Sequence, residues 1–104
     1  MTKYLLAYHG GTQPQSKEEG EKVMAAWVSW LGSLGKSLVD GGNPTAKSKT
    51  IAANGKVSDG GGANPVNGYT LIEASSLDDA VRLAKTCPQL ASGGTIEVGE
   101  LMVM

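Results

Sequence analysis

Residues Gly68–Val103 read GYTLIEASSLDDAVRLAKTCPQLASGGTIEVGELMV. This stretch is a strand, a capped helix, a glycine-marked turn and a second strand. Tyr69–Ala74 is apolar on both alternations, with Leu71 set against Ile72, as in a strand covered on both faces. Ser76-Leu77-Asp78-Asp79 opens the helix with a capping pattern and two acids at the positive end of its dipole. Leu77, Ala80, Val81 and Ala84 form a narrow apolar stripe, Arg82 and Lys85 sit toward the negative end, and Pro88 is predicted to stop the helix. Thr95–Val103 is the last strand. Its apolar phase runs through Ile96 and Val98 and then shifts to Leu101 and Val103, which predicts a bulge at Gly99.

Working outward, Lys3–Tyr8 (KYLLAY) is a first strand, again apolar on both faces, and His9-Gly10-Gly11 ends it. Ser16–Leu34 is a helix. Ser16 and Glu19 have capping-box spacing, and Val23, Trp27, Trp30, Leu31 and Leu34 recur at helical spacing. Gly35 marks its end. Ser37–Val39 is a short strand closed by Asp40-Gly41-Gly42-Asn43-Pro44. In the glycine-rich middle, Thr50–Ala53 and Lys56–Ser58 flank Asn54-Gly55, a pair suited to a tight hairpin turn with both central residues at positive φ.

The order is β-α-β-β-β-α-β, with the third and fourth strands forming a small hairpin. That predicts one α+β domain over residues 1–104: a ferredoxin-like antiparallel sheet with two helices on one face. Only two helices are available, yet the strands are apolar on both sides. The second sheet face therefore needs cover, and the simplest cover is the same face of another copy, which predicts a two-fold homodimer.

The chain has 104 residues, with nine Lys and Arg against ten Asp and Glu and a net charge of −1. This balance gives no footprint for nucleic acid, which needs clustered cations. No apolar run reaches membrane-spanning length and no signal peptide is visible, so a soluble cytoplasmic protein is expected. The single cysteine, Cys87, excludes an internal disulfide and reads as a small buried hydrophobe. No His, Cys or carboxylate cluster has metal-ligand spacing, and neither glycine-rich loop precedes a helix as phosphate and dinucleotide fingerprints require. No cofactor and no metal are expected.

The opening KYLLAYHG, then Lys56-Val57-Ser58-Asp59-Gly60, then GYTLIEASSLDDAVRLAKTCP and GGTIEVGEL together resemble the YCII-related family, in particular its DGPF branch. The resemblance spans most of the chain and implies a dimeric α–β barrel built on the ferredoxin-like fold. It also implies a His on the first helix acting with an Asp. Here Ala26 and Trp27 occupy that helical stretch, and Gly61-Gly62 follow Asp59-Gly60 where the branch has Pro-Phe.

The chemistry must therefore come from elsewhere. His9 is the one side chain whose ordinary pKa lies near neutrality, so it is the candidate general base, with Asp59 as its orienter if the fold brings them together. The plainer reading is a loop His beside a turn-capping Asp. Tyr8 and Trp27 are candidate pocket walls. Asp40 and Gly60 stand for two acidic glycine loops whose backbone N–H groups could meet an anion. The expectation is a small homodimeric domain binding a small organic molecule in a cleft between sheet and helix, with simple acid–base catalysis by His9. The alternative is a non-catalytic ligand-binding or protein-interaction module with a regulatory role, which fits a family found beside regulators and enzymes.

Overall fold

The computed structural model describes residues 1–104. The elements are β1 (Thr2–His9), α1 (Lys17–Leu34), a single 3-10 turn (Gly35–Ser37), β2 (Leu38–Asp40), β3 (Lys49–Ile51), β4 (Val57–Asp59), β5 (Val66–Ala74), α2 (Leu77–Ala84), α3 (Pro88–Ala91) and β6 (Thr95–Glu100). The main sheet has the order β2-β5-β1-β6, every neighbour antiparallel, while β3 and β4 form a separate hairpin. With the hairpin set aside, this is the β-α-β-β-α-β ferredoxin-like topology, with the helices on one sheet face.

Alternation along the strands decides what each face does. On β1, Tyr4, Leu6 and Tyr8 are buried; on β5, Gly68, Thr70, Ile72 and Ala74 are buried. These residues meet Trp30 and Leu34 of α1, Ala80 and Ala84 of α2, and Cys87, with Trp27, Leu31, Leu83, Ile96 and Val98 packed around them. Cys87 is thus the buried hydrophobe expected from the sequence, and burial pushes its thiol pKa up.

The other face carries Lys3, Leu5 and Ala7 of β1 and Tyr69, Leu71 and Glu73 of β5, and no helix covers it. Leu5 pairs with Leu71, Ala7 with Tyr69 and Lys3 with Glu73 across the ladder. Only 14 of the 104 residues are buried, so one protomer encloses a small core and leaves this second apolar surface open.

Both long helices start where their caps predict. The Ser16 hydroxyl accepts from the Glu19 N–H at 3.1 Å, and the Ser76 hydroxyl accepts from the Asp79 N–H at 3.1 Å. The Glu19 carboxylate reaches back to the N–H of Gln15, one residue before the cap. Gly35 ends α1 at φ 53°, as a C-terminal glycine does.

Four local expectations change. Val23 and Leu77 lie on exposed flanks rather than in the core. Helix α2 stops at Ala84, and Pro88 opens the further turn α3 as its first residue, where its missing N–H has no cost. The β1–β6 register runs without a break from Thr95 to Glu100, so Gly99 makes no bulge; the strand ends and Leu101–Met104 continue outside it. In the hairpin only Gly55 has positive φ, at 88°. The Gly55 N–H donates to the Ala52 carbonyl at 2.8 Å, and the Asn54 side chain accepts from the Lys56 N–H. A longer turn ending in a glycine replaces the two-residue turn.

Candidate functional site

The end of β1 carries a hydrogen-bonded polar cluster centred on His9. His9 follows Leu5 and Ala7 in phase, so it stands at the end of the open sheet face. Its Nδ1 lies 3.1 Å from the Asn64 carbonyl oxygen and 3.2 Å from that of Pro65. Carbonyl oxygens only accept, so Nδ1 carries the proton. Nε2 lies 3.8 Å from Glu97 Oε1: it is an acceptor when the ring is neutral and an ion-pair partner of Glu97 when the ring is protonated. The side chain of His9 is 14% exposed against 78% for that of Glu97. An imidazole held at one nitrogen by the chain, with the other in no hydrogen bond, is able to exchange a proton with a bound molecule.

The backbone beneath His9 is fixed from two sides. The buried Gln89 amide donates to the His9 and Gly10 carbonyls at 3.0 and 3.1 Å. The Asn67 amide donates to the Gly10 carbonyl at 2.7 Å. Thr12 closes the loop through its N–H and hydroxyl to the Ser92 carbonyl. The chain therefore leaves β1 in one direction, and the His9 ring is presented from a rigid base.

The other candidate residues fall in different places. Tyr8 is next to His9 in sequence but on the opposite face. Its hydroxyl donates to Thr70 Oγ1 at 2.7 Å, and Thr70 in turn donates to the Gly41 carbonyl. Burial pushes the Tyr8 pKa well above the usual phenol value. Trp27 lies edge-on to Tyr8 with ring centroids 5.3 Å apart, and Trp30 lies edge-on to Trp27 at 5.8 Å. Trp30 Nε1 donates to the Thr86 hydroxyl. These rings take the space between sheet and helix in which a cleft is expected from the sequence.

Asp40 accepts the Gly42 N–H at 2.8 Å, which is turn chemistry. Gly60 donates its N–H to the Ser48 carbonyl and accepts the Thr50 hydroxyl. Asp59 lies on β4 with its carboxylate 2.7 Å from Lys49 Nζ across the hairpin. It makes no hydrogen bond or ion pair with His9. An open cavity of about 540 Å³ lined by Lys47, Ser48, Lys49 and Asp59 lies along this hairpin.

His9 is thus oriented by Asn64, Pro65 and Glu97, none of which the sequence reading singled out. A signal existed for Glu97: once β6 pairs antiparallel with β1, the phase that puts Ile96 and Val98 inward turns Glu97 to the His9 side. Nothing in composition or spacing marks two loop carbonyls as ligands.

The fold and the open face define a ferredoxin-like α+β domain with one helix-covered and one bare sheet surface. It is similar in structure to 5-chloro-2-hydroxyhydroquinone dehydrochlorinase from Burkholderia phenoliruptrix, solved in complex with 2,5-dihydroxybenzoquinone. The TM-score is 0.56 over 96% of this chain and 95% of that one, at 18% identity. At that identity the likeness is one of fold. No family model matches the sequence, and no curated protein matches it.

Proposed function

We propose that this chain is a YCII-related domain that works as a homodimer joined through the open sheet faces and binds a small organic molecule beside His9. The observation that carries the reading is the placement of the imidazole. Two backbone carbonyls hold the Nδ1 proton, so Nε2 is presented as an acceptor at the rim of a floor made by Leu5, Ala7, Tyr69 and Leu71. A flat molecule with a ring and an acidic O–H fits that combination of apolar floor and single base. His9 would take the proton, and the exposed Glu97 carboxylate would stabilise the resulting imidazolium. Asp59 enters this reading as a loop ligand from the hairpin and not as the orienter of the ring.

The non-catalytic alternative draws on a separate observation. Asp59 is paired with Lys49 and makes no contact with His9, so the His–Asp pair of a two-group mechanism is not assembled within one chain.

Both readings are tested with 2,5-dihydroxybenzoquinone as the probe, by thermal shift and by its visible spectrum. The expected result is a rise in Tm with the wild-type chain that His9→Gln abolishes. An equal rise in both proteins overturns the assignment of the site to His9. A rise in Tm with no release of chloride from 5-chloro-2-hydroxyhydroquinone, in which loss of the O–H proton and of chloride balances without an oxidant, favours the binding module over the enzyme.

A further inference from the structure

The β3–β4 hairpin has no place in the protomer. Both strands are exposed at every residue. Ile51 and Val57 pair directly across the ladder, yet they are 72% and 58% exposed. A lone two-stranded hairpin is marginal in water, so one carrying an apolar pair outward calls for a surface to lie on.

The overall shape points the same way. The radius of gyration is 14.9 Å, whereas a compact chain of this length has about 13 Å. The molecule is only 18 Å thick against 43 and 41 Å in its other dimensions, so it is one sheet and one helix layer with a projection.

The projection is rooted beside His9. It continues the β2–β5 ribbon past the Pro44–Gly68 bridge, where Thr45 N–H meets the Asn67 carbonyl, and it returns through the Asn64 and Pro65 carbonyls that hold the imidazole. From Thr45 to its tip at Asn54 it is long enough to reach about 30 Å. Two packed sheets stand only about 10 Å apart.

Charge selects the occupant. The arm carries Lys47, Lys49 and Lys56 against Asp59 alone, and Asp59 is paired with Lys49. Lys47 and Lys56 are in no ion pair. The open sheet face carries Glu73, opposite Lys3 across the ladder but in no ion pair, and Glu97, whose one close basic neighbour is His9, so with Lys3 counted the carboxylates still outnumber the lysines by two to one.

We propose that the β3–β4 hairpin is an arm that clasps a second copy of this chain, laying Ile51 and Val57 on the margin of its open sheet face with Lys47, which lines one hollow with Lys49 and Asp59, toward its Glu73 and Glu97. This rests on the open-face dimer. Each site then lies under the arm of the other subunit, and Asp59, on the same side of the hairpin as Ile51 and Val57, is turned toward the second copy.

Two measurements test it. Carbodiimide cross-linking of the wild-type protein should give, in the dimer band alone, peptides joining Lys47 to Glu73 or Glu97. Ile51→Asp with Val57→Asp should raise the dimer dissociation constant by about tenfold or more, with the far-UV circular dichroism unchanged because both side chains are exposed. A wild-type monomer sinks both the dimer and the arm. A wild-type dimer that Leu71→Glu dissociates, but that the arm variant leaves intact and that yields no such cross-links, overturns the arm while keeping the open-face dimer.

Discussion

Gly42 meets the hardest steric limit in the chain. It has φ 70°, and a Cβ there would overlap the Tyr69 carbonyl oxygen. That carbonyl belongs to β5 and cannot yield. Gly42→Ala should cost about 3 kcal/mol or more, read from urea unfolding midpoints. Gly32, inside α1 with nothing within 4 Å of where a Cβ would stand, should behave in the opposite way: Gly32→Ala should add about 0.5–1 kcal/mol. The sequence marks both as glycines and does not tell them apart, because the difference lies in a backbone brought close by the ladder. Tyr8 and Cys87 make a second residue-scale case. Burial raises both pKa values from the ordinary 10.0 and 9.0. Groups that hold their protons more tightly when folded stabilise fully below their unfolded pKa and lose that contribution as pH rises. Stability should therefore be level to about pH 9 and fall beyond it. Tyr8→Phe should make that fall shallower in urea titrations run from neutral to alkaline pH, and an unchanged slope would contradict this account of the buried Tyr8 hydroxyl.

At the scale of elements, the helix starts were legible because a cap is a local contract between a hydroxyl and an N–H three residues on. Ser16→Ala and Ser76→Ala should each cost about 1 kcal/mol in chemical denaturation. The strands were legible from their apolar runs, and the order of elements fixed the ferredoxin-like topology. What alternation and spacing could not supply was termination. Gly99 and Pro88 both looked like punctuation, yet Gly99 sits in an unbroken register with Leu5, and Pro88 starts a turn instead of ending one. Asn54-Gly55 was read correctly as a turn but of the wrong length, since the Asn54 side chain caps the loop with its own φ negative. The site was less legible still. His9 stood out by its chemistry, but its orienting groups are backbone carbonyls 55 and 56 residues away, which no residue type announces.

For the whole molecule, the decisive property is that both faces of the central strands are apolar and only one is covered. Tyr4, Leu6 and Ile72 are enclosed by helices, while Leu5, Ala7, Tyr69 and Leu71 line a surface that ends at His9 and Glu97. Burying that floor against a second copy would enlarge a small core, enclose the imidazole and give the hairpin something to hold. The most direct check is the solution mass by sedimentation velocity at micromolar concentration, for the wild-type chain and for Leu71→Glu, which puts a carboxylate in the middle of the apolar floor. The expected result is the mass of two chains for the wild type and of one folded chain for the variant. A wild-type protein that sediments as one chain, with its open face in water, would contradict the account.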